Sequence, residues 1–124
     1  MASADTLPLA NATLTASANS DAVNVRVGAK DFFVSFTGKN VDASTTFDLK
    51  LQHSANGVEW YDVDGGAFTQ VSGAGDVDEL LDLSKGLTGF SPTKLLGLVR
   101  VVSTISGATP SIDVVCSLHF DKEF

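Results

Sequence analysis

Few residues of the types that catalyse reactions or bind metals occur in this chain, and they do not cluster. The sequence holds two histidines, His53 and His119, and one cysteine, Cys116. His53 lies beside an Asn-Gly turn and His119 near the end of the last predicted strand, so we interpret both as structural or surface histidines. Cys116 alternates with apolar residues, which is typical of a buried hydrophobic side chain rather than a reactive thiol.

No catalytic constellation is evident. An active site would need a nucleophile with its base, a pair of carboxylates or a metal cluster. The chain has no Gly-x-Ser-x-Gly segment, no phosphate-binding loop and no His-Glu-x-x-His motif. We therefore expect that the protein is not an enzyme and that it has no catalytic residues and no cofactor.

Two acidic loops are the candidates for a cation site. Asp62 and Asp64 precede a glycine, and Asp76, Asp78 and Glu79 follow a glycine-rich loop. Clustered carboxylates could bind calcium, but a third ligand at the right spacing and the closing glutamate of a calcium loop are missing. We interpret these residues as solvated turn residues and predict no metal site.

Trp60 and Tyr61 are the only tryptophan and the only tyrosine. Neighbouring residues of a strand point to opposite faces, so we expect Trp60 to cap the core and Tyr61 to cover an edge. An exposed ring could also stack on a sugar, as in carbohydrate-binding modules, and the sequence leaves that alternative open.

The elements that would position these residues are β-strands. Apolar and polar residues alternate in segments 23–27, 32–37, 47–52 and 112–120, which predicts strands with one buried and one solvated face. Such strands are typical of antiparallel sheets. Asn56 and Gly57 predict a two-residue type I′ hairpin turn between a strand ending near His53 and a strand containing Val58 and Trp60.

Two later segments are less regular. Leu95–Ile105 is the longest predicted strand and is apolar on both sides, so it is either central in a sheet or faces a partner through Leu96 and Leu98. Segment 77–83 fits a strand or a helical turn. Segment 84–93, with two glycines and a proline, predicts a crossover loop.

About eight or nine short strands without an amphipathic helix predict an all-β fold, a two-sheet antiparallel β-sandwich. A jelly roll is the first choice and an immunoglobulin-like sandwich the second. Residues 12–124 are predicted to form this single domain. Residues 1–11 are predicted to be a flexible N-terminal arm, because Pro8 interrupts strand pairing. The arm is either a frayed terminus or a segment that orders on a neighbouring subunit through Leu7, Pro8 and Leu9.

The charge argues against several partners. The net charge is −7, with 8 Lys and Arg against 15 Asp and Glu. Nucleic acids and anionic membranes are bound by basic patches, which this composition does not supply. The start of the sequence does not have the pattern of a signal peptide, and the longest apolar run, 95–102, is too short to span a bilayer. We expect no nucleic-acid partner and no membrane partner.

Three segments carry a family resemblance. Residues 49–63 read Leu-Lys-Leu-Gln-His-Ser-Ala-Asn-Gly-Val-Glu-Trp-Tyr-Asp-Val. This strand, Asn-Gly turn and tryptophan strand resembles a segment of small tailed-bacteriophage virion proteins. The stretch 98–107, followed by the strand 111–120, resembles their closing hairpin. With the strand 32–37, the resemblance extends over most of the chain from about Thr13.

The resemblance implies a capsid decoration, or cement, subunit, commonly a trimer. We accordingly expect a structural virion protein that binds the major capsid protein on the outer capsid surface and is made in the host cytoplasm. The expected partner contacts are Leu7, Pro8, Leu9, Tyr61, Leu96 and Leu98. Two alternatives stay open: another virion component, such as a head fibre, tail or baseplate protein, and a carbohydrate-binding β-sandwich module.

Overall fold

The computed structural model describes residues 2–25, 29–83 and 95–123. Within these ranges the regular secondary structure consists of ten β-strands and no helix. In chain order they are β1 (Ala2–Leu14), β2 (Ala18–Asn19), β3 (Val23–Asn24), β4 (Ala29–Lys39), β5 (Thr46–Ser54), β6 (Tyr61–Ala67), β7 (Val71–Ser72), β8 (Val77–Asp82), β9 (Leu98–Ser106) and β10 (Ile112–Glu123). Every pairing between them is antiparallel, which confirms the predicted all-β class.

The strands form two sheets with jelly-roll order. The first sheet runs β1-β10-β4-β8, and the second runs β2-β9-β5-β6, with β3 also on β9 and β7 also on β5. Because β2 and β3 pair with the same side of β9, and β6 and β7 with the same side of β5, each pair is one interrupted strand. The eight resulting strand positions are ordered 1-8-3-6 and 2-7-4-5, the arrangement of a jelly roll. The first-choice topology is therefore confirmed.

The core lies between the sheets and uses the faces that the two-residue period predicts. Phe36 of β4 packs across the interface on Phe47 of β5 and on Phe68, with ring centroids 5.7 and 5.4 Å apart. Burial of such side chains stabilises the fold by about 25 cal/mol for each Å² of apolar surface removed from water. The buried residues of β10 are Ile112, Val114, Cys116, Leu118 and Phe120, as their alternation predicts.

The segment expected to be an N-terminal arm is instead most of the edge strand β1. Residues from Ala2 to Leu14 pair with β10 along its whole length. Leu9 is only 6% exposed and belongs to the core, and Leu7 packs against it, so the segment buries more than its composition suggested. Pro8 is accommodated because β1 is an edge strand and the register shifts between Pro8 and Ala10.

Two ambiguous segments are resolved. Segment 77–82 is a strand, β8, paired with β4. β9 begins at Leu98 and has β2 and β3 on one side and β5 on the other, so it is central in its sheet. Val99, Val101 and Ile105 face the core as predicted. The predicted strand 23–27 is confirmed only at Val23–Asn24. Its end at 26–27 and the predicted crossover loop at 84–93 lie outside the described residues.

Hydrogen bonds close one end of the sandwich, which we name the locked end and define as Asp42, Ser44, Thr45, Thr109 and Ser111. Asp42 Oδ1 accepts hydrogen bonds from the Ser44 N–H and hydroxyl at 2.9 and 2.7 Å and from the Thr109 hydroxyl at 3.2 Å. These bonds, the Ser44 hydroxyl first, lower the pKa of Asp42. The buried Thr45 hydroxyl donates to the Ser111 carbonyl and accepts its N–H. The β4–β5 and β9–β10 loops are thereby joined.

Candidate functional site

The loop between β5 and β6 is built around the side chains of Ser54 and Asn56. The Ser54 hydroxyl oxygen accepts the N–H of Asn56 at 3.2 Å and of Gly57 at 2.9 Å. Asn56 Oδ1 accepts the N–H of Val58 at 2.9 Å and of Glu59 at 3.0 Å. Four successive N–H groups of the six-residue loop 55–60 are thus bound by the side chains of Ser54 and Asn56.

This loop differs from the predicted two-residue turn. A type I′ turn needs positive φ at both central residues. Gly57 has a φ of 77°, but Asn56 is not among the residues with positive φ. Pairing resumes at His53 with Tyr61, so the loop is longer than expected. The Asn-Gly pair did predict correctly that the chain reverses between two antiparallel strands here.

Trp60 is anchored to the outer face of the second sheet and not in the core, where we expected it. The Arg100 guanidinium lies over its ring, 4.2 Å from the centroid, and the indole N–H donates to the Gly57 carbonyl at 3.3 Å. A cation–π contact of this kind contributes roughly 0.5–2 kcal/mol. Arg100 lies on the outer face of β9, and Trp60 packs on that face through its contact with the guanidinium.

A row of polar side chains continues from Arg100 across β5 to β6. Gln52 Oε1 accepts two hydrogen bonds from Arg100, at 2.9 and 3.1 Å, and its amide donates to Asp62 at 2.9 Å. Lys50 pairs with Asp62 at 3.1 Å. The Gln52 hydrogen bond, followed by those of Lys50, lowers the pKa of Asp62. The row ties the two ends of the β5–β6 loop to the central strand.

Large apolar side chains remain exposed around this fixed loop. We name Val58, Tyr61, Leu96 and Leu98 the loop patch. Val58 is 79% exposed, Tyr61 55% and Leu96 39%, and Leu98 is half-buried. The Tyr61 hydroxyl donates to Glu59 at 3.1 Å, which fixes the direction of the ring. Tyr61 is the register partner of His53 and Leu98 that of Ser54, so these two side chains lie near the end of β5 on opposite faces of the second sheet.

His53 links the parts of the patch. Its Nδ1 accepts the main-chain N–H of Leu96 at 3.1 Å, so the neutral ring carries its proton on Nε2. Burial lowers the pKa of His53, against a smaller opposing effect of Asp64. Protonation of Nδ1 would remove the acceptor that positions Leu96. The imidazole is therefore a structural group, as interpreted from sequence.

This geometry is suited to docking on a protein surface. Residues that dominate protein interfaces are aromatic or large apolar side chains, held in one conformation and surrounded by polar groups. The backbone at Val58 is held by Ser54 and Asn56, that at Leu96 by His53, and the neighbouring row from Arg100 to Lys50 supplies polar groups beside the patch. Little ordering entropy remains to be lost when such a surface binds.

The predicted contact residues fall into two groups. Tyr61, Leu96 and Leu98 all lie near the end of β5 and belong to the loop patch. Leu7, Pro8 and Leu9 lie on β1 of the other sheet, where Pro8 is exposed and Leu9 is buried within the chain's own core. Leu9 is thus not available to a neighbour in this fold.

Sequence reasoning missed two features of the site. Val58 was assigned to a strand, whereas it is the most exposed large hydrophobic residue among those described. Arg100 was noted only as an interruption of an apolar run. The sequence did contain a clue to the Trp60 contact: Arg100 is a charged residue in an otherwise apolar strand, and Trp60 is the only tryptophan that it could cover.

Three other residues considered for chemistry, His119, Cys116 and Asp78, have structural roles. The two ring nitrogens of His119 form hydrogen bonds with the hydroxyls of Ser35, at 2.8 Å, and Thr6, at 3.0 Å. These bonds link three strands of the first sheet. Cys116 is buried as predicted, and burial raises the pKa of its thiol to about 12. Asp78 accepts the Thr37 hydroxyl at 2.7 Å.

Among residues 2–25, 29–83 and 95–123, no group of three or more His, Cys, Asp or Glu side chains is placed to hold a metal ion. Within the same ranges, no helix has the length and hydropathy needed to cross a membrane.

Comparison with solved structures supports the fold. The chain is similar to a structure of infectious bursal disease virus, Gx strain (TM-score 0.59, 10% identity), and to the VP2 subviral particle of that virus (TM-score 0.58, 11% identity). The alignments cover 98% of this chain but only 32% and 33% of the viral chains, so the chain spans about a third of their length. At this identity the likeness is one of fold.

Weaker similarities accompany these. The SPBc2 prophage-derived protein YomS aligns with 98% of this chain and 96% of its own at 10% identity, with a TM-score of 0.46. Two carbohydrate-binding modules have TM-scores of 0.44 and 0.48. These scores carry no conclusion about this chain. No protein-family model matches the chain, and no curated protein matches its sequence.

Proposed function

We propose that this chain is a non-catalytic structural virion protein, a decoration subunit of a tailed bacteriophage that binds the major capsid protein on the outer surface of the head. The observation that carries the proposal is the loop patch: Val58, Tyr61 and Leu96 are exposed on and beside the β5–β6 loop, whose backbone is held by the side chains of Ser54 and Asn56. The jelly-roll fold, shared with the VP2 particle, and the resemblance of segments 49–63 and 98–120 to phage virion proteins support it.

The energetics suit a protein present in many copies. A specific interface buries about 800 Å² on each partner. Truncating one well-packed aromatic anchor such as Tyr61 typically costs about 2 kcal/mol or more, a roughly thirty-fold change in Kd. If the subunit is a trimer, as the resemblance implies, three patches bind at once and modest single affinities add through effective concentration. The net charge of −7 keeps free subunits soluble and makes nucleic acid an unsuitable partner.

The proposal is tested with the purified chain and with capsids that lack it, assembled from the major capsid protein of the same phage. We expect the chain to sediment as a trimer, to bind in hundreds of copies per particle and to raise the melting temperature of the capsid. A monomer without affinity for these capsids contradicts the proposal. A copy number of a few dozen or fewer indicates a head fibre, tail or baseplate component instead.

A paired set of variants locates the contact. Val58→Ser with Tyr61→Ala should weaken capsid binding by about thirty-fold or more without lowering the free energy of unfolding, because both side chains are exposed. The matched control is Leu80→Ser with Val115→Ser, which removes two comparably exposed side chains from the outer face of the first sheet. Equal loss of binding in both pairs would mean that the loop patch is not the contact.

A carbohydrate-binding module is the second candidate, favoured by the exposure of the Tyr61 ring beside Trp60. One face of Trp60 is covered by Arg100, so Tyr61 is the ring left to stack on a sugar. A glycan array with Tyr61→Ala as control separates the two functions. Binding to a glycan that is lost in Tyr61→Ala, without binding to capsids, would favour this candidate.

A further inference from the structure

We infer that Asn56 is a self-modification site, at which the main-chain nitrogen of Gly57 attacks the side-chain amide of Asn56 and converts it to a carboxyl group. Asn56-Gly57 is the single Asn-Gly pair in the sequence, and both residues are exposed. Glycine has no Cβ to obstruct ring closure by its own nitrogen. The other described asparagines are followed by residues that carry side chains.

The reaction balances with water alone. A bond forms between the Gly57 nitrogen and Asn56 Cγ, and the bond from Cγ to Nδ2 breaks. The proton of the Gly57 nitrogen is transferred to the leaving nitrogen, and ammonia is released, which leaves a five-membered succinimide. Water then opens the ring at either carbonyl. The products are aspartate, with the original main chain, and isoaspartate, in which the main chain passes through the former side chain.

The loop supplies groups that assist the first step. Val58 and Glu59 donate their N–H groups to Asn56 Oδ1 at 2.9 and 3.0 Å. Donors aimed at a carbonyl oxygen stabilise the negative charge that develops there when a nucleophile adds, as in an oxyanion hole. The Ser54 hydroxyl is 2.9 Å from the Gly57 nitrogen and 3.2 Å from Asn56 Oδ1. Ser54 therefore lies between the atom that loses the proton and the amide that is broken, as a positioning residue.

The modification would change the loop patch. The new carboxyl group is ionised at neutral pH and adds negative charge beside Val58. Isoaspartate also adds one carbon atom to the main chain immediately before Gly57, whose carbonyl accepts the Trp60 indole. If the proposed function holds, the modified loop docks more weakly, so that the age of the free subunit limits its ability to bind.

The test follows the purified full chain at mildly alkaline pH and physiological temperature by peptide mapping with mass spectrometry. We expect the amide-to-acid mass change at Asn56 on the order of tenfold faster than at Asn40, an exposed internal control followed by Val41. Asn56→Gln, which would need a larger ring, should abolish it. Since Trp60 is the only tryptophan, its fluorescence should change in step with the isoaspartate fraction.

The contribution of the fold is tested separately. We expect conversion in the folded chain to be at least as fast as in the same chain unfolded in urea, and Ser54→Ala to slow only the folded rate. Slower conversion in the folded chain, or no conversion at Asn56, overturns the inference. Neither measurement requires a binding partner, so failure of the capsid-binding proposal would leave it intact, and loss of the modification would not affect that proposal.

Discussion

At the start of β5, the hydroxyl of buried Thr45 exchanges two hydrogen bonds with Ser111; at the other end of the same strand, Val58 and Tyr61 are exposed around a self-contained loop. The locked end uses side chains to join two loops to one another. The patch end uses them to fix one loop internally and leaves Val58 and Tyr61 more than half exposed. The difference suggests that one end maintains the fold and the other end is available to a partner.

The largest expected effect is at the locked end. Gly107 has a φ of 141°, and a Cβ atom there would overlap the carbonyl oxygen of Ser44. We expect Gly107→Ala to lower the free energy of unfolding by about 3 kcal/mol, because strain and overlap combine. Gly97→Ala, next to the loop patch, meets nothing within 4 Å and should be close to neutral. Urea unfolding of the two variants measures both, and equal costs would abolish the contrast between the ends.

A smaller effect is expected at the anchor of the patch. Arg100→Met keeps an apolar stem but removes the contact with Trp60 and both hydrogen bonds to Gln52. We expect a loss of about 1–2 kcal/mol in stability and a change in Trp60 fluorescence. Capsid binding should fall because the loop is no longer held. Unchanged fluorescence in a folded Arg100→Met variant would show that the guanidinium does not position Trp60.

The smallest expected effect is a pH dependence of stability. The patch end and the locked end should each be destabilised by acid, at different pH values. His53 has a pKa below its ordinary 6.5, so the folded state binds fewer protons than the unfolded state. Its contribution to stability is complete above pH 6.5 and is lost as pH falls below that value. Asp42 has a pKa below its ordinary 3.8, so its contribution to stability is complete above pH 3.8 and is lost as the pH falls below that value.

Amide hydrogen exchange at a series of pH values distinguishes the two transitions. We expect the Leu96 amide to lose protection as the pH falls below 6.5, while the Ser44 amide keeps its protection until the pH falls below 3.8 and Asp42 is protonated. His53→Gln should remove the first transition and leave the second. Simultaneous loss of protection at both ends would mean that acid unfolds the domain as one unit.

The sequence predicted the regular parts of this fold because their burial alternates strictly. In β10, the five alternate positions from Ile112 to Phe120 are all buried, and no other arrangement of that segment would hide them together. The same reasoning placed Phe36 and Phe47 in the core. Jelly-roll order was the first choice, although two-residue periodicity alone does not separate it from other sandwiches.

What the sequence did not predict depends on contacts between distant segments. The segment around Pro8 becomes a strand because β10 pairs with it and the core accepts Leu9, which no local pattern reveals. Trp60 lies outside the core and packs against the guanidinium of Arg100, forty residues later in the chain. The loop at Asn56 is longer than the Asn-Gly pair suggests because Ser54 and Asn56 provide its hydrogen bonds.

The most direct test of the account is a reconstruction of capsids decorated with this chain, at a resolution that shows how the sandwich is oriented. We predict that the β5–β6 loop faces the shell, with Val58 and Tyr61 at the contact, and that Thr45 and Gly107 lie at the distal end. A subunit bound through the locked end, with Val58 and Tyr61 in solvent, would contradict it.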